Sequence, residues 1–287
     1  MSRTLAVAGI QMAVEPGDVN IDRMRWKLDE VCFRFPQVEL ALFSELSVYG
    51  GQPRYAEPVP GPAVERLSRL AEEYGLWLAP GSLYEKTPEG VYNTALVFNP
   101  RGDLVLGYRK MYPFEPYETS RRGDTPGLFN IPDKARLGLC VCYDQWFPEL
   151  TRQLVWAGAE VILNPVMTTT ADRPLELVVT QANAITNQVY FLSVNGVGQG
   201  GLGRSLLVDP EGRVLHQAGE IECCLTEVLD LDKVSRVREQ GTLGMIQVLK
   251  SFRDAGHVFP VYGSNPDAGP GFQTLGPLAG RAGRRDL

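Results

Sequence analysis

The chain has 287 residues, 44% of them hydrophobic and 22% charged, so it has the composition and length to bury a core without disulfides or a structural metal. Its 34 acidic and 28 basic residues give a net charge of −6, which disfavours nucleic acid or an anionic membrane as partner, because both require a basic face. No apolar run reaches the roughly 18 residues of a membrane-spanning helix, and nothing at the N-terminus resembles a signal peptide, so we expect a cytoplasmic protein.

Strand patterns and helix patterns alternate along the chain. An apolar run over residues 5–12 predicts the first strand, and apolar residues at helical spacing over 21–31 predict a helix capped by Asn20 or Asp18. A strand at 38–43 precedes a helix at 62–74, which ends at Gly75, where a left-handed cap is expected. Further strands are predicted at 76–84, 92–99, 104–108 and 136–141.

The second half continues the alternation. Pro148 begins a helix that runs to residue 156. The remaining predictions are a helix at 173–187 and strands at 160–164, 189–194, 205–208 and 213–216. The pattern indicates an α/β layered domain with mixed parallel and antiparallel sheets. We expect one domain over residues 1–262, followed by a Gly/Pro-rich C-terminal extension over 263–287 that lies on the surface or on a neighbouring subunit.

Cysteine and histidine usage restricts the possible chemistry. The five cysteines are an odd number without a CxxC pair, which does not suit a disulfide framework. With only His216 and His257 present, a zinc site and a Ser-His-Asp or Cys-His enzyme are both poorly supplied. Cys140 and Cys142 form a CxC pair, but no partner histidine is evident. We therefore expect no metal site.

Cys142 stands where an apolar strand gives way to a helix within six residues. Backbone N–H groups exposed at such a turn lower the pKa of a thiol and hold an oxyanion. The alternative is that Cys142 is a small buried hydrophobic residue, as most free cysteines are. The local pattern alone leaves both explanations open.

Three charged residues also follow predicted strands or enter the loops after them. Glu45 comes directly after an apolar strand, so its carboxylate must be paired or exposed, and burial would suit it to be a general base. Lys110 closes a strand and enters a proline-rich loop that contains Glu118. Each of the three is as easily explained as a solvated loop charge. Lys110 has the further possibility of polarising a carbonyl oxygen in a cleft.

Taken together, these positions resemble the nitrilase-like carbon–nitrogen hydrolase family. That family has a Glu after an early strand, a Lys after a mid-chain strand and a Cys at a strand-to-helix turn, matched here by Glu45, Lys110 and Cys142 in the same order. The most specific match is the run over 142–149, CYDQWFPE. Supporting matches are GAEVI at 158–162, the helix with ANAI at 182–185, GRS at 203–205 and DPEG at 209–212. The resemblance covers residues 4 to 232.

The family also has a second glutamate between the lysine and the cysteine. Glu118 lies eight residues after Lys110 and is similar to the Pro-x-Glu of the aliphatic amidase and formamidase branch. Glu115 is the competing candidate. We favour Glu118, which would orient Lys110 or the amide nitrogen of the substrate.

The resemblance implies hydrolysis of an amide through a thioester. Glu45 would take the thiol proton, Cys142 would attack the carbonyl carbon, and ammonia would leave before water hydrolyses the acyl-enzyme. Lys110 and, by family analogy, the backbone N–H of Tyr143 would hold the oxyanion. A catalytically silent scaffold with the same fold is the alternative outside enzymes, although no catalytic residue of the family is missing.

The substrate implied by the resemblance is a small linear amide. True nitrilases usually show Cys-Trp-Glu where this chain has Cys-Tyr-Asp, so nitrile hydrolysis is disfavoured, while the following residues also resemble carbamoylputrescine amidases and keep N-carbamoyl amides as the nearest rival class. Candidate acyl-pocket residues are Phe114, Tyr117, Trp146 and the stretch 167–170, which includes Thr168. Family members form an α-β-β-α sandwich and dimerise, so we expect that fold and a homodimer or larger homo-oligomer.

Overall fold

The computed structural model of the protein describes residues 2–262 and Leu278, so the expected C-terminal extension otherwise lies outside the described residues. The strands are β1 Thr4–Gln11, β2 Ala13–Val14, β3 Leu40–Leu42, β4 Trp77–Ala79, β5 Ser82–Thr87, β6 Gly90–Phe98, β7 Leu104–Arg109, β8 Gly127–Ile131, β9 Ala135–Leu139, β10 Val161–Val166, β11 Tyr190–Asn195, β12 Val197–Gly198, β13 Leu206–Val208, β14 Val214–Gln217 and β15 Cys223–Asp230. The helices are α1 Asn20–Arg34, α2 Pro62–Tyr74, α3 Pro148–Trp156, α4 Arg173–Asn187, α5 Leu231–Gln240 and α6 Val248–Ala255.

Two large mixed sheets form the centre of the molecule. The first has the strand order β15-β1-β3-β4-β6-β5, with β7 also paired to β6, and the second has the order β14-β13-β11-β10-β9-β8. In the first, β1, β3 and β4 are parallel to one another. In the second, β9, β10 and β11 are parallel. A short pair, β2 with β12, lies beside them.

Three apolar clusters show how the layers stack. One cluster joins side chains from both sheets, so the sheets pack face to face. A second joins the first sheet to α1 and α2, and a third joins the second sheet to α3 and α4. The layer order is therefore helix, sheet, sheet, helix, which confirms the expected α-β-β-α sandwich. No helix among the described residues is both long and apolar enough to cross a bilayer.

Some helices begin and end where residues in the sequence favour a helix boundary. The bounds of α2 and α4 match the prediction, and α2 ends at Gly75 in the left-handed conformation with φ 61°. The predicted cap of α1 is wrong. Asn20 lies inside the helix, and its amide donates to and its Oδ1 accepts from the backbone of Glu15, so it holds the preceding loop. Asp18 instead pairs with Arg66.

The strand predicted over 76–84 is divided into β4 and β5. The division falls at Gly81, which has φ 80° and sits so close to the preceding strand's loop that a Cβ there would lie 1.7 Å from the Ser44 carbonyl oxygen. Only glycine permits this approach. The turn brings the loop after β3 against the first sheet and so helps to position Glu45.

Candidate active site

Three of the four predicted catalytic residues lie where strands end, and the fourth, Glu118, lies in the loop after β7. Glu45 follows β3, Lys110 follows β7, and Cys142 follows β9. The Glu45 backbone N–H donates to the carbonyl of Val166 at the end of β10 across 3.2 Å, so the ends of the two sheets meet here. Because carboxyl ends of parallel strands meet along one edge, residues distant in sequence converge. They line one cavity of about 580 Å³.

A buried ion cluster forms the base of this cavity. The Nζ atom of Lys110 lies 2.8 Å from Oε1 of Glu45 and 2.8 Å from Oε2 of Glu118. Burial opposes the charge on Lys110, which is 1% exposed, but Glu45, Cys142 and Glu118 outweigh it and raise the pKa of the lysine well above its usual value. Lys110 is therefore a fixed ammonium at neutral pH.

Asn93 completes the cluster and was not among the predicted site residues. Its Nδ2 donates to Oε1 of Glu45 at 2.8 Å and to Oε1 of Glu118 at 3.0 Å. It lies within β6, where its side chain is fully buried. The available signal was an amide inside an otherwise apolar strand, since a buried amide needs partners. Asn93 and Lys110 together hold the two carboxylates at a fixed separation.

The structure separates the two candidates for the second glutamate. Oε2 of Glu118 also accepts from the backbone N–H of Phe114 at 3.0 Å. Burial acts to raise the pKa of Glu118, but the Lys110 ammonium and its hydrogen bonds lower it below the ordinary value. Glu115 instead pairs with the exposed guanidinium of Arg122. It is Glu118 that contacts Lys110.

The turn that carries Cys142 is fastened by Asp144. Cys142 has φ 48°, in the left-handed region, and begins the 3₁₀ turn Cys142–Trp146. Asp144 accepts the Tyr108 hydroxyl on Oδ2 and the Tyr112 backbone N–H on Oδ1, both at 2.8 Å. Burial raises the pKa of this carboxyl to about 6. The cysteine turn is thus tied to β7 and to the segment after it.

The thiol of Cys142 is buried at the cavity wall, with the residue 8% exposed. Burial raises its pKa well above the usual value, the Glu45 carboxylate raises it further, and the Lys110 ammonium lowers it. Because the net shift is upward, the resting side chain is a neutral thiol that needs a base to become a nucleophile. Glu45 is the carboxylate that acts on it most strongly.

A series of polar contacts leads from the thiol through Thr168 to Glu176 and Arg173, and the last two were not among the predicted site residues. The Thr168 hydroxyl lies 3.8 Å from Sγ of Cys142 and donates to Oε2 of Glu176 at 2.7 Å. Burial raises the pKa of Glu176, while Arg173, whose Nη1 lies 2.9 Å from the same oxygen, opposes that rise. Thr168 itself was expected in the pocket. The Arg173–Glu176 pair had no signal beyond an ordinary helical spacing of three residues.

The predicted pocket residues divide into two groups. Phe114, Tyr117, Tyr143 and Thr168 line the cavity, with the Phe114 ring 5.0 Å from the ring of Tyr143 and 5.1 Å from that of Tyr117. Trp146 does not line it; this residue lies half-buried at the end of the 3₁₀ turn. Within the part of the chain that the structure describes, no group of three or more His, Cys, Asp or Glu side chains is arranged to hold a metal ion.

Comparison with known proteins agrees with this geometry. The family model for carbon-nitrogen hydrolases matches residues 4–239. Omega-amidase NIT2 of Xenopus tropicalis is 33% identical over 213 residues, covering 68% of this chain and 76% of the relative. A formamidase of Bacillus cereus is 33% identical over 181 residues, covering 58% of this chain and 53% of the relative.

Solved structures share the architecture. Nit3 of Saccharomyces cerevisiae, a nitrilase superfamily member, matches with a TM-score of 0.77 and 25% identity over 83% of this chain and 94% of that chain. A mutant of the Nesterenkonia sp. AN1 amidase, with the acetamide moiety of fluoroacetamide on its active-site cysteine, matches with a TM-score of 0.72 and 24% identity over 81% of this chain and 92% of that chain. The chain described here belongs to the nitrilase-like carbon–nitrogen hydrolase family.

Proposed function

We propose that this protein hydrolyses small linear amides through a thioester on Cys142 and releases ammonia. The observation that carries the proposal is the buried contact of Lys110 with Glu45 and Glu118 in the cavity that also holds the thiol. In the proposed roles, Cys142 is the nucleophile, Glu45 the base and Lys110 the electrophilic cation, and acyl transfer requires these three kinds of group in one cavity.

In the first half of the proposed reaction, Glu45 takes the thiol proton as Sγ of Cys142 forms a bond to the amide carbon. Negative charge develops on the carbonyl oxygen, where the Lys110 ammonium and the backbone N–H of Tyr143 stabilise it. Removing one such donor typically slows an enzyme by about 10²- to 10³-fold. Glu45 then gives its proton to the nitrogen, the carbon–nitrogen bond breaks, and ammonia leaves.

In the second half, water replaces ammonia. Glu45 takes a proton from the water as the water oxygen attacks the thioester carbon. The carbon–sulfur bond then breaks, Glu45 returns that proton to the sulfur of Cys142, and the carboxylic acid leaves. Glu118 keeps Lys110 in place through both halves, because its Oε2 accepts a second hydrogen bond from Nζ beside the one that Glu45 accepts. Asn93 holds the carboxylates of Glu45 and Glu118 in position through one hydrogen bond to each.

The names of the relatives support an amide as substrate. They include omega-amidases, a formamidase and an amidase with a covalent acetamide moiety on its active-site cysteine. An N-carbamoyl compound presents the same terminal C(=O)–NH2 group, but no residue of this cavity specifically favours it. We therefore propose the simple amide.

The proposal is tested by trapping the acyl-enzyme. Wild-type protein mixed with acetamide and quenched in acid during turnover is expected to gain the mass of one acetyl group, because the thioester forms before water hydrolyses it. Peptide mapping by mass spectrometry should place the added mass on Cys142.

Cys140 offers a matched control. It lies two residues earlier, is fully buried, and accepts a hydrogen bond from Asn164 rather than facing the cavity. Cys140→Ser protein should still gain the adduct, whereas Cys142→Ala protein should not. An adduct that persists in Cys142→Ala, or ammonia release at the wild-type rate by that variant, would contradict the proposal.

A further inference from the structure

The charges around the catalytic cavity are unequal in sign. Among the described residues that line it, one is a cation, Lys110. The carboxylates that line it are Glu45, Glu118, Asp172 and Glu176. A substrate entering this cavity therefore meets a surplus of negative charge.

Neither nearby cation is available to bind an anionic group on the substrate. Lys110 is already held between two carboxylates. Arg173 is fully buried, and its guanidinium donates to Glu176 and to the backbone carbonyls of Gly203 and Arg204 at 2.9 to 3.3 Å. Freeing either cation would leave buried acceptors without partners, which is costly.

The start of α4, which borders the cavity, is also closed to anions. A helix N-terminus ordinarily binds anions through its free N–H groups. Here the Arg173 N–H donates to the Thr170 carbonyl, the Leu175 N–H donates to the Asp172 carbonyl, and Pro174 has no N–H. The side chain of Asp172 then adds a carboxylate at the same end, where it accepts the Thr170 hydroxyl.

Apart from three threonines, of which Thr168 and Thr170 donate their hydroxyls to Glu176 and Asp172, the rest of the wall is mainly apolar or aromatic. Leu46, Tyr84, Phe114, Tyr143 and Met167 line the interior. Their side chains give an acyl chain a surface against which to pack, and a volume of about 580 Å³ is within the usual range of small-molecule sites. An alkyl chain fits this chemistry, whereas a carboxylate would lose part of its hydration without gaining a cationic partner among the described residues.

We infer that this enzyme selects amides whose acyl group carries no negative charge, and that Asp172 at the cavity rim is a specificity-determining residue. The inference rests on the proposed amidase function. Such selection would distinguish this chain from an amidase that accepts the monoamide of a dicarboxylic acid. Rejection follows from repulsion between the substrate carboxylate and the carboxylates of the cavity.

Three five-carbon amides that differ in terminal charge test the inference: pentanamide, 5-aminopentanamide and glutaramate, the monoamide of glutaric acid. Ammonia release should give a kcat/KM for glutaramate at least about 30-fold below those of the other two, as expected for an uncompensated like-charge contact in a cavity of intermediate dielectric constant. A kcat/KM for glutaramate equal to that of pentanamide would overturn the inference. Rejection of the cationic amide as strongly as the anionic one would also overturn it, because charge sign would then not be the cause.

A pair of aspartates provides the matched variants. Asp172→Asn should raise the ratio of kcat/KM for glutaramate to that for pentanamide by about five-fold or more, because one carboxylate is removed from the rim. Asp124 similarly accepts a hydroxyl from a neighbouring threonine, but it lines a different cavity, so Asp124→Asn should leave the ratio unchanged. An equal shift in the two variants would remove Asp172 from the explanation.

Binding separates failure of the inference from failure of the proposed function. If pentanamide is not hydrolysed, the amidase proposal fails, and calorimetry with the Cys142→Ala protein still measures selection among the three amides. Binding of glutaramate as tight as that of pentanamide would then contradict the inference. Weaker binding of glutaramate alone would support it.

Discussion

Two cavities of equal volume, about 580 Å³ each, lie on this protein, and their chemistry differs. The cavity that contains Cys142 has a buried ion cluster at its base. The other, which we call the α3–α6 groove, is lined by Pro148, Glu149, Arg152, Gln153, Trp156, Thr186, Asn187, Phe252, Phe259 and Tyr262. Since volume is the same, size does not distinguish a reactive site from a surface groove. A reactive site is distinguished by buried charged side chains that surround a nucleophile.

The cation of the α3–α6 groove shows the contrast. Arg152 lies 5.6 Å from the centre of the Phe252 ring, and its Nη1 is buried without a hydrogen-bond partner among the described residues. Burial lowers the pKa of Arg152, whereas the carboxylates around Lys110 raise the pKa of that lysine. Carboxylates offset the charge of Lys110 in one cavity, whereas the charge of Arg152 in the α3–α6 groove is poorly offset.

The largest effect is expected from Lys110→Met, which keeps the length of the side chain but removes its charge. Glu45 and Glu118 would then face each other in a buried site without a counter-ion. We expect kcat/KM to fall by at least about 10³-fold and the free energy of unfolding to fall by roughly 3 to 5 kcal/mol. Ammonia release and urea unfolding measure the two effects. If the variant kept the wild-type kcat/KM and the wild-type free energy of unfolding, the proposed difference between the two cavities would be wrong.

The next effect separates the two glutamates that the sequence left as alternatives. Glu118→Gln removes the charge that orients Lys110, so we expect about a 10²-fold loss of kcat. Glu115→Gln removes only a solvent-facing partner of Arg122, and such pairs contribute roughly 0 to 1 kcal/mol, so turnover should be unchanged. Steady-state kinetics on both variants checks this. The reverse order of effects would show that the wrong glutamate has been assigned.

The raised pKa of Asp144 predicts that the free energy of unfolding depends on pH. Burial raises its pKa to about 6, whereas an unfolded aspartate has a pKa of about 3.9. Between these values the folded protein binds more proton than the unfolded chain, so stability falls as pH rises. The unfolding free energy of the wild type relative to Asp144→Asn should fall by up to about 3 kcal/mol from pH 4 to pH 7.

Urea unfolding of both proteins across that range measures the difference. Other titrating groups are common to the two proteins and cancel. A difference that does not vary with pH would mean that Asp144 remains ionised throughout. The hydrogen bonds from Tyr108 and Tyr112 would then outweigh its burial.

The smallest effect is expected in the α3–α6 groove. Arg152→Met removes a cation that has an unpaired N–H and retains the apolar contact with Phe252. We expect the free energy of unfolding to change by less than about 1 kcal/mol and turnover to stay at the wild-type rate. The same assays used for Lys110→Met provide the comparison. A loss of turnover from this variant would show that the groove is coupled to the catalytic cavity.

Local signals in the sequence were sufficient for much of the fold. Pro62 and Gly75 bound α2, and apolar periodicity defined the buried face of α1. The patterns left residues 217–262 without predicted elements, although β15, α5 and α6 lie there. The β15 strand pairs with β1 at the opposite end of the chain, and such long-range pairing leaves little trace in a local window.

The site divides in the same way. Glu45, Lys110 and Cys142 could be predicted because each follows a strand and matches a family pattern in order. Asn93 and Arg173 could not, since an amide in a strand and an arginine on a helix have ordinary explanations until their partners are known. Asn93 contacts Glu45, 48 positions away, and Arg173 contacts Arg204, 31 positions away, and only the fold brings these residues together.

The backbone at Cys142 limits which residue could serve as nucleophile in this turn. With φ 48°, the position disfavours a β-branched side chain, because a second substituent on Cβ crowds the left-handed backbone. Serine adds no such branch, but threonine does. The conformation of the main chain therefore restricts which nucleophilic side chains this site could have acquired during evolution. This restriction is independent of how reactive those side chains are.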